Sequence, residues 1–419
     1  MVSMLFVRNY KLLLFFSLQL AALPILAQHN ADNFIEKLLK KHPERFSAIL
    51  ANPEKYKVQV LYTRIDRNKN NVPHFTTHAY RIDTGEYFYP ASTVKLPAVA
   101  LAFEKLNKLG IDKYTPMFTD AVRPEQTAVN TDTSSEDGRP SVAHYAKKIL
   151  LASDNDAFNR LYEFIGQQEF NDSLHMKGFK GSRILHRLDS PIGPENNRYT
   201  NPIRFEKDGK IVFEQPAKYN EHEYNAPGPI LLGKGYMKDG ALVNEPFDFT
   251  KKNAFPLEEQ HRLLKTLFFP DEVPASQRFN LREEDYRFMY QYMSQFPVET
   301  SYPANYTDDY YDGYVKFLLF GATKTRLPRH IRLFNKCGDA YGFLLDNAYI
   351  ADFEKGIEFM LTAVIYCNED GVFNDDKYDY ENVGFPFMAN LGKTIFEYEL
   401  SRKRPNRPDL SRFEVEYDK

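Results

Sequence analysis

Three short motifs bring together residue types that can carry out acyl transfer. Ser92-Thr93-Val94-Lys95 fits S-x-x-K, Ser153-Asp154-Asn155 is S-D-N, and Lys336-Cys337-Gly338 is K-x-G. A serine hydroxyl is a weak nucleophile until a neighbouring base takes its proton. A lysine can be that base only if its pKa falls, and burial beside a second cation lowers it. The three motifs therefore predict a serine nucleophile activated by one lysine and flanked by a second.

Each motif alone also arises by chance, and S-D-N is equally at home as a helix N-cap. The surroundings of Ser92 favour the chemical interpretation. The apolar pattern of residues 94–109 predicts a helix that ends at Gly110. Residues three apart on a helix share a face, so Lys95 can reach Ser92. The helix N-terminus also supplies the backbone N–H groups that an oxyanion requires.

The order and context of these motifs resemble the class A β-lactamases and the related penicillin-binding DD-peptidases. The resemblance covers about residues 31–200 and 315–400 and leaves about 203–315 uncovered. It rests on Tyr89–Lys95, Ser153–Asn155 and Asn335–Gly338, the last followed by Tyr341-Gly342 and by Asp346-Asn347-Ala348-Tyr349-Ile350. It implies an antiparallel sheet covered by helices, and a serine hydrolase that forms an acyl-enzyme.

The resemblance also implies a role for each matching residue. Ser92 would be the nucleophile and Lys95 its base, and Ser153 would relay a proton to the leaving nitrogen. Asn155 would hold the substrate side chain, and Lys336 would favour a substrate carboxylate. The oxyanion hole would use the backbone N–H of Ser92 and that of a residue just past Gly338, for which we predict Ala340.

Two positions depart from the family pattern. Cys337 stands where the family usually has a hydroxyl that binds the substrate carboxylate, and a thiol is a poor donor. In Arg187-Leu188-Asp189, an aspartate stands where class A β-lactamases have the glutamate that activates the deacylating water. Aspartate is one methylene shorter. Glu195 is the other candidate for this base, and for either acid a purely structural role remains open.

The elements that must position these residues follow from the apolar pattern. Residues 56–66 and 74–82 alternate as strands, and 331–336, 342–350 and 357–366 are three successive strand patterns. Helix patterns lie between these two groups, and a closing helix covers about 385–401. We predict an α+β fold of three layers, α/β/α, in which helices cover an antiparallel sheet of about five strands beside a helical lobe.

Composition narrows the classes of function. The 419 residues are 43% apolar with a formal net charge of −3, which gives no reason to expect nucleic acid or an anionic membrane as partner. Arg8, Lys11 and the apolar run that ends at Ala27 predict a signal peptide over residues 1–27, and hence a periplasmic or secreted protein without a lasting membrane span. Residues 28–419 are expected to form one domain, enlarged at about 203–315, in a monomer.

The leading hypothesis is a serine β-lactamase of class A type that acts on a small-molecule β-lactam or a peptidoglycan-like substrate. The alternatives are a DD-peptidase or esterase, and a non-catalytic cell-wall binding protein whose groove is lined by tyrosines of 215–245 and 302–314. No Cys/His cluster has metal-ligand spacing, so neither a metal nor another cofactor is expected. Strand order separates Cys337 from Cys367 by about 9.5 Å, so both thiols are predicted to be free.

Overall fold

The computed structural model describes residues 33–304, 306 and 309–419; the predicted signal peptide lies outside them. Pro43 begins a helix and Gly110 ends one, as the chemistry of these residues predicts. Proline occupies the first helical turn, and glycine adopts the left-handed region at φ 68°. The helices of the described residues are α1 (Phe34–Leu39), α2 (Pro43–Ala51), α3 (Lys95–Leu109), α4 (Val142–Ala152), α5 (Asn155–Ile165), α6 (Gln167–Met176), α7 (Leu257–Phe268), α8 (Glu283–Ser294) and α9 (Phe385–Ser401).

Five long strands form the main sheet, and short strands occupy the middle of the chain. The long ones are β1 (Gln59–Arg67), β2 (Pro73–Tyr80), β12 (Ile331–Ala340), β13 (Phe343–Asp352) and β14 (Ile357–Tyr366). The others are β3 (Met117–Thr119), β4 (Tyr199–Thr200), β5 (Ile203–Lys207), β6 (Lys210–Gln215), β7 (Lys218–Tyr219), β8 (Leu231–Leu232), β9 (Gly235–Lys238), β10 (Ala241–Val243), β11 (Phe247–Asp248) and β15 (Val372–Phe373).

The main sheet joins strands from both ends of the chain. Its order is β12-β13-β14-β1-β2, and every neighbouring pair is antiparallel. Strand β1 pairs with β14, with Thr63 opposite Met360. Strand β12 is therefore an edge strand, and its outer edge is available to line a cleft.

Helices cover both faces of this sheet. On one face, α1, α2 and α9 pack their apolar side chains on residues such as Leu333 and Phe359. On the other face, α7 and the helical lobe pack on Phe334 and Met360. His261 of α7 fixes that helix to two strands through hydrogen bonds to the hydroxyls of Thr63 and Thr362, at 2.7 and 2.8 Å. The predicted three-layer α+β fold with a five-stranded antiparallel sheet is confirmed.

The middle of the chain contributes both to the lobe and to hairpins outside it. Helix α3 is buried along almost its whole length against α4, α5 and α8. Strands β5 and β6 form a hairpin, and β8 to β11 form small sheets whose aromatic residues cluster with Tyr89 and Phe343. Within the described part of the chain, no helix combines the length and the apolar character needed to cross a membrane.

Candidate active site

Ser92 lies at the entrance to α3, in a single 3-10 turn that spans Ala91–Val94. Ala91 adopts the left-handed region, at φ 47°, which costs a non-glycine residue conformational energy. The turn is held against the edge strand β12 at Gly338. A Cβ atom on that glycine would come within 2.5 Å of the Ser92 backbone nitrogen. Only glycine allows this approach, so the K-x-G motif brings β12 into contact with the serine turn.

The Lys95 amine contacts the Ser92 hydroxyl from one helical turn away. Its Nζ lies 2.8 Å from Ser92 Oγ and 2.7 Å from Asn155 Oδ1. It also donates to the Ser153 carbonyl and lies 3.2 Å from Ser153 Oγ. Burial lowers the pKa of Lys95 well below its ordinary value, and the positive charge of Lys336 lowers it further. The side chain is fully buried, so the amine has the environment of a neutral base beside a hydroxyl.

Ser153 connects the two lysines. It ends α4 in the left-handed region at φ 59°, and Asp154 then begins α5 by accepting a hydrogen bond from the Ala157 amide at 2.7 Å. The S-D-N motif therefore caps helix α5 and also contributes side chains to the candidate site. The Ser153 hydroxyl lies 2.8 Å from Lys336 Nζ, so protons can pass between it and either lysine.

Lys336 reaches the site from β12 and is held there by its own strand. Its Nζ donates to the Cys337 carbonyl at 2.7 Å, and its carbonyl accepts from Asn347 Nδ2 of β13 at 2.6 Å. Burial lowers the pKa of Lys336, and nearby acidic residues such as Asp346 oppose that shift. Burial also raises the pKa of the Cys337 thiol to about 12, so this group stays protonated.

The register of the β12–β13 hairpin decides which backbone amide faces Ser92. Ala340 pairs with Phe343 across the two-residue turn Tyr341-Gly342, and such a turn is closed by a pair that exchanges both hydrogen bonds. Alternate residues then point outward. The carbonyls of Leu333 and Cys337 also point outward, since each accepts a hydrogen bond from a lysine side chain. The outward N–H next to Gly338 is that of Asp339. The predicted Ala340 amide instead bonds to β13.

One protein-family model matches part of the chain. A model described as the Beta-lactamase enzyme family matches residues 42–217. Over this segment the chain is similar to the beta-lactamases. The matched segment includes Ser92, Lys95 and the S-D-N motif, whereas Lys336 and Gly338 lie beyond it. No curated protein matches the chain.

Solved beta-lactamase structures are similar along most of the chain, at low identity. The class A beta-lactamase of Clostridium kluyveri DSM 555 is 14% identical, with 84% of this chain and 97% of that one covered and a TM-score of 0.45. The chromosome-encoded beta-lactamase of Vibrio parahaemolyticus is also 14% identical, with 85% and 99% covered and a TM-score of 0.47. A beta-lactamase from Burkholderia ambifaria is 13% identical, with 84% and 97% covered and a TM-score of 0.46.

The beta-lactamase-like segment contains the loop in which a deacylating base was predicted. Arg187 anchors this loop through Glu163 of α5, with Nε 2.9 Å from Oε1 and both side chains buried. Asn159, also of α5, bonds both to the amide and to the carbonyl of Leu188, at 2.8 and 2.9 Å. Asp189 follows at φ 48° with an exposed side chain. Because Asn159 lies one turn after Asn155, these bonds hold Leu188, the residue before Asp189, on the side of α5 that carries Asn155.

Glu195, the second candidate base, takes part in surface contacts. Its carboxylate accepts a hydrogen bond from Tyr219 Oη at 3.0 Å and lies 3.5 Å from Arg198. The side chain is 62% exposed. These partners give Glu195 the structural role that the sequence had left open, and they leave Asp189 as the stronger candidate.

Sequence reasoning missed three residues that shape the site. Asn159 and Asn197 hold the loop by bonds to its backbone, for example from the Arg187 amide to Asn197 Oδ1 at 2.9 Å. Asp339 supplies the backbone N–H that points outward from β12. The Asn residues carry no spacing signal, but the turn dipeptide Tyr341-Gly342 fixes the register of β12 and was enough to find Asp339. Among the described residues, no group of His, Cys, Asp or Glu is placed to hold a metal ion.

Proposed function

We propose that this protein is a serine hydrolase that opens amides or esters through a Ser92 acyl-enzyme. The observation that carries the proposal is the 2.8 Å contact between Ser92 Oγ and the Lys95 amine, whose pKa is lowered by burial and by Lys336. A serine beside a buried neutral amine can be deprotonated as it attacks. The beta-lactamase family match over residues 42–217 supports the same reaction class.

In the acylation step, Ser92 Oγ attacks the substrate carbonyl and its proton passes to Lys95 Nζ. The carbonyl oxygen becomes an oxyanion, which the amides of Ser92 and Asp339 are placed to stabilise. When the bond to the leaving atom breaks, that atom takes a proton from the Ser153 hydroxyl. Ser153 is re-protonated from Lys95 or Lys336, both of which lie within hydrogen-bond distance of it.

Hydrolysis then requires a water molecule to attack the acyl-enzyme and release the acid and free Ser92. Asp189 is the group we propose as its base, because its carboxylate is exposed on a loop fixed to α5. The shorter side chain of aspartate demands that the loop sit close to the acyl group. The finer proposal, a class A β-lactamase, depends on this step.

A DD-peptidase or esterase is the second candidate, and Cys337 favours the esterase, whose substrate need not carry a carboxylate. A protonated, buried thiol replaces the hydroxyl that would bind a β-lactam carboxylate. A non-catalytic binding protein would have no need for a buried lysine pair, since burying such cations is costly. Export is also proposed; sequencing of the mature N-terminus is expected to find Gln28 first.

Covalent labelling tests the proposal. A neutral fluorophosphonate is expected to add one adduct to the wild-type protein, and Ser92→Ala is expected to show none, because Ser92 is the proposed nucleophile and Ser153, which also contacts the lysines, is proposed only to relay protons. Ser276→Ala, a change at an exposed serine in the turn Ala275–Gln277, is the matched control. Labelling of Ser92→Ala at the wild-type rate would overturn the nucleophile assignment. Mass spectrometry over time after benzylpenicillin then separates the candidates: a transient adduct indicates a β-lactamase and a persistent one a peptidase.

A further inference from the structure

The rim of the cleft beyond Cys337 carries an acid where a β-lactam would present its carboxylate. Side chains two residues apart on a strand lie on one face, about 7 Å apart, so Asp339 is the next side chain outward from Cys337. The Asp339 side chain is exposed, and within the described part of the chain it forms no ion pair. Loss of solvation inside the cleft raises the pKa of its carboxyl, and the positive charges of Lys336 and Lys95, which are buried deeper in the site, oppose that rise.

The hydrogen-bond donors that could hold a substrate carboxylate at this rim are either engaged with other groups or absent from the described residues. Lys336 gives hydrogen bonds to Ser153 Oγ and to the Cys337 carbonyl. The Cys337 thiol is buried and protonated. A carboxylate placed here would lack a hydroxyl donor and would lie close to the negative charge of Asp339, and both effects weaken binding.

The same rim suits a cation. Tyr314 and Tyr380 lie near enough to Asp339 for its charge to add to the rise that burial causes in the pKa of each phenol. An exposed carboxylate attracts an ammonium group through its charge.

We propose that this cleft selects substrates whose leaving group carries a positive charge in the place where β-lactams carry a carboxylate. The inference rests on the proposed acyl-enzyme at Ser92, and it makes Asp339 a specificity-determining residue. The substrate class is then an ester or amide of an amine-bearing leaving group.

Three esters with one acyl group test this inference. Their leaving groups are choline, ethylene glycol and glycolate, which are cationic, neutral and anionic. The rate constant for each is measured at pH 8, far above the ordinary pKa of an aspartate, to allow for the raised pKa of Asp339. Wild-type protein is expected to react fastest with the choline ester and slowest with the glycolate ester. In Asp339→Asn, the ratio of choline to glycolate rates is expected to fall about tenfold, since one exposed charge is removed.

Asp208→Asn is the matched control, because Asp208 is an exposed aspartate in the turn between β5 and β6. It is expected to leave the ratio unchanged, and high salt is expected to reduce the wild-type ratio. A wild-type preference for glycolate, a ratio that Asp339→Asn does not lower, or no reaction with any of the esters would overturn the inference. Fluorophosphonate labelling of Ser92 is scored on the same samples. Its absence would overturn the proposed function instead, so the two failures are distinct.

Discussion

Two lysines share the hydroxyl of Ser153, and each affects the charge of the other. Because burial and Lys336 together lower the pKa of Lys95, the fraction of neutral Lys95 is larger at a given pH than for an exposed lysine. Acylation needs neutral Lys95, so its rate is expected to rise as pH increases through that pKa and then to level off.

Lys336→Met tests this coupling. Removal of the neighbouring cation makes protonated Lys95 more favourable and raises its pKa, so the rising limb of the pH–rate profile is expected to move to higher pH. The profile is measured with the neutral fluorophosphonate, which needs no carboxylate contact. Lys252→Met is the control, because Lys252 is not among the groups that act on Lys95. A limb that stays in place in Lys336→Met would show that burial alone sets the pKa.

Asp189 and Glu195 are expected to differ when each loses its charge. Asp189→Asn should leave acylation fast and lengthen the lifetime of the acyl-enzyme, because the attacking water loses its base. Glu195→Gln should leave that lifetime unchanged, since this carboxylate is engaged with Tyr219 and Arg198. Adduct decay is followed by mass spectrometry after a pulse of penicillin. The reverse pattern would move the base six residues along the loop.

At the scale of elements, the contact between β12 and the turn that holds Ser92 sets the geometry of the candidate site. Gly338→Ala would place a Cβ atom 2.5 Å from the Ser92 amide and 3.1 Å from Ala91 Cβ, and both neighbours are backbone or short side chain. The turn must shift, and a displacement of this size is expected to slow labelling of Ser92 by about 100-fold. Gly228→Ala, with open space around it, is the control and should label normally. Thermal unfolding checks that both variants fold.

The sequence predicted the long elements well because their apolar period is strong. Residues 357–366 and 385–401 are a strand and a helix as predicted, and Pro43 divides the first helical pattern as its chemistry demands. The predicted strand 331–336 continues to Ala340, because Lys336, Cys337 and Gly338 belong to the ladder that carries the site. The hairpins β5–β6 and β9–β10 were not predicted as separate elements, since strands of three to six residues carry little periodic signal. Helix α6 has ten residues but was not predicted either, because most of its buried residues are polar.

The candidate site was predictable where a motif fixes spacing along one element and less so where distant elements meet. Lys95 follows Ser92 on one helix, so their contact follows from sequence. The choice between Ala340 and Asp339 depends on which residues of β12 exchange bonds with β13. That choice changes with a shift of one residue, and only the turn at Tyr341-Gly342 decides it.

At the scale of the whole molecule, the reactivity of the two buried cysteines measures how readily the core opens. Both thiols are free and only 2% exposed, which confirms the predicted absence of a disulfide. Burial raises the pKa of each thiol, so thiolate is scarce as well as inaccessible. Titration of the denatured, unreduced protein is expected to find two thiols, and the native protein is expected to react far more slowly. Zero thiols after denaturation would contradict the strand order.

The pairing of β1 with β14 has a consequence for how the protein is made. Strand β1 leaves the ribosome long before its partner Ile357–Tyr366 is synthesised. Until then β1 and β2 can form only a two-stranded hairpin, which is marginally stable by itself. The sheet therefore closes only after β14 has been synthesised, and until then the unpaired edges of β1 and β2 leave the chain prone to aggregation.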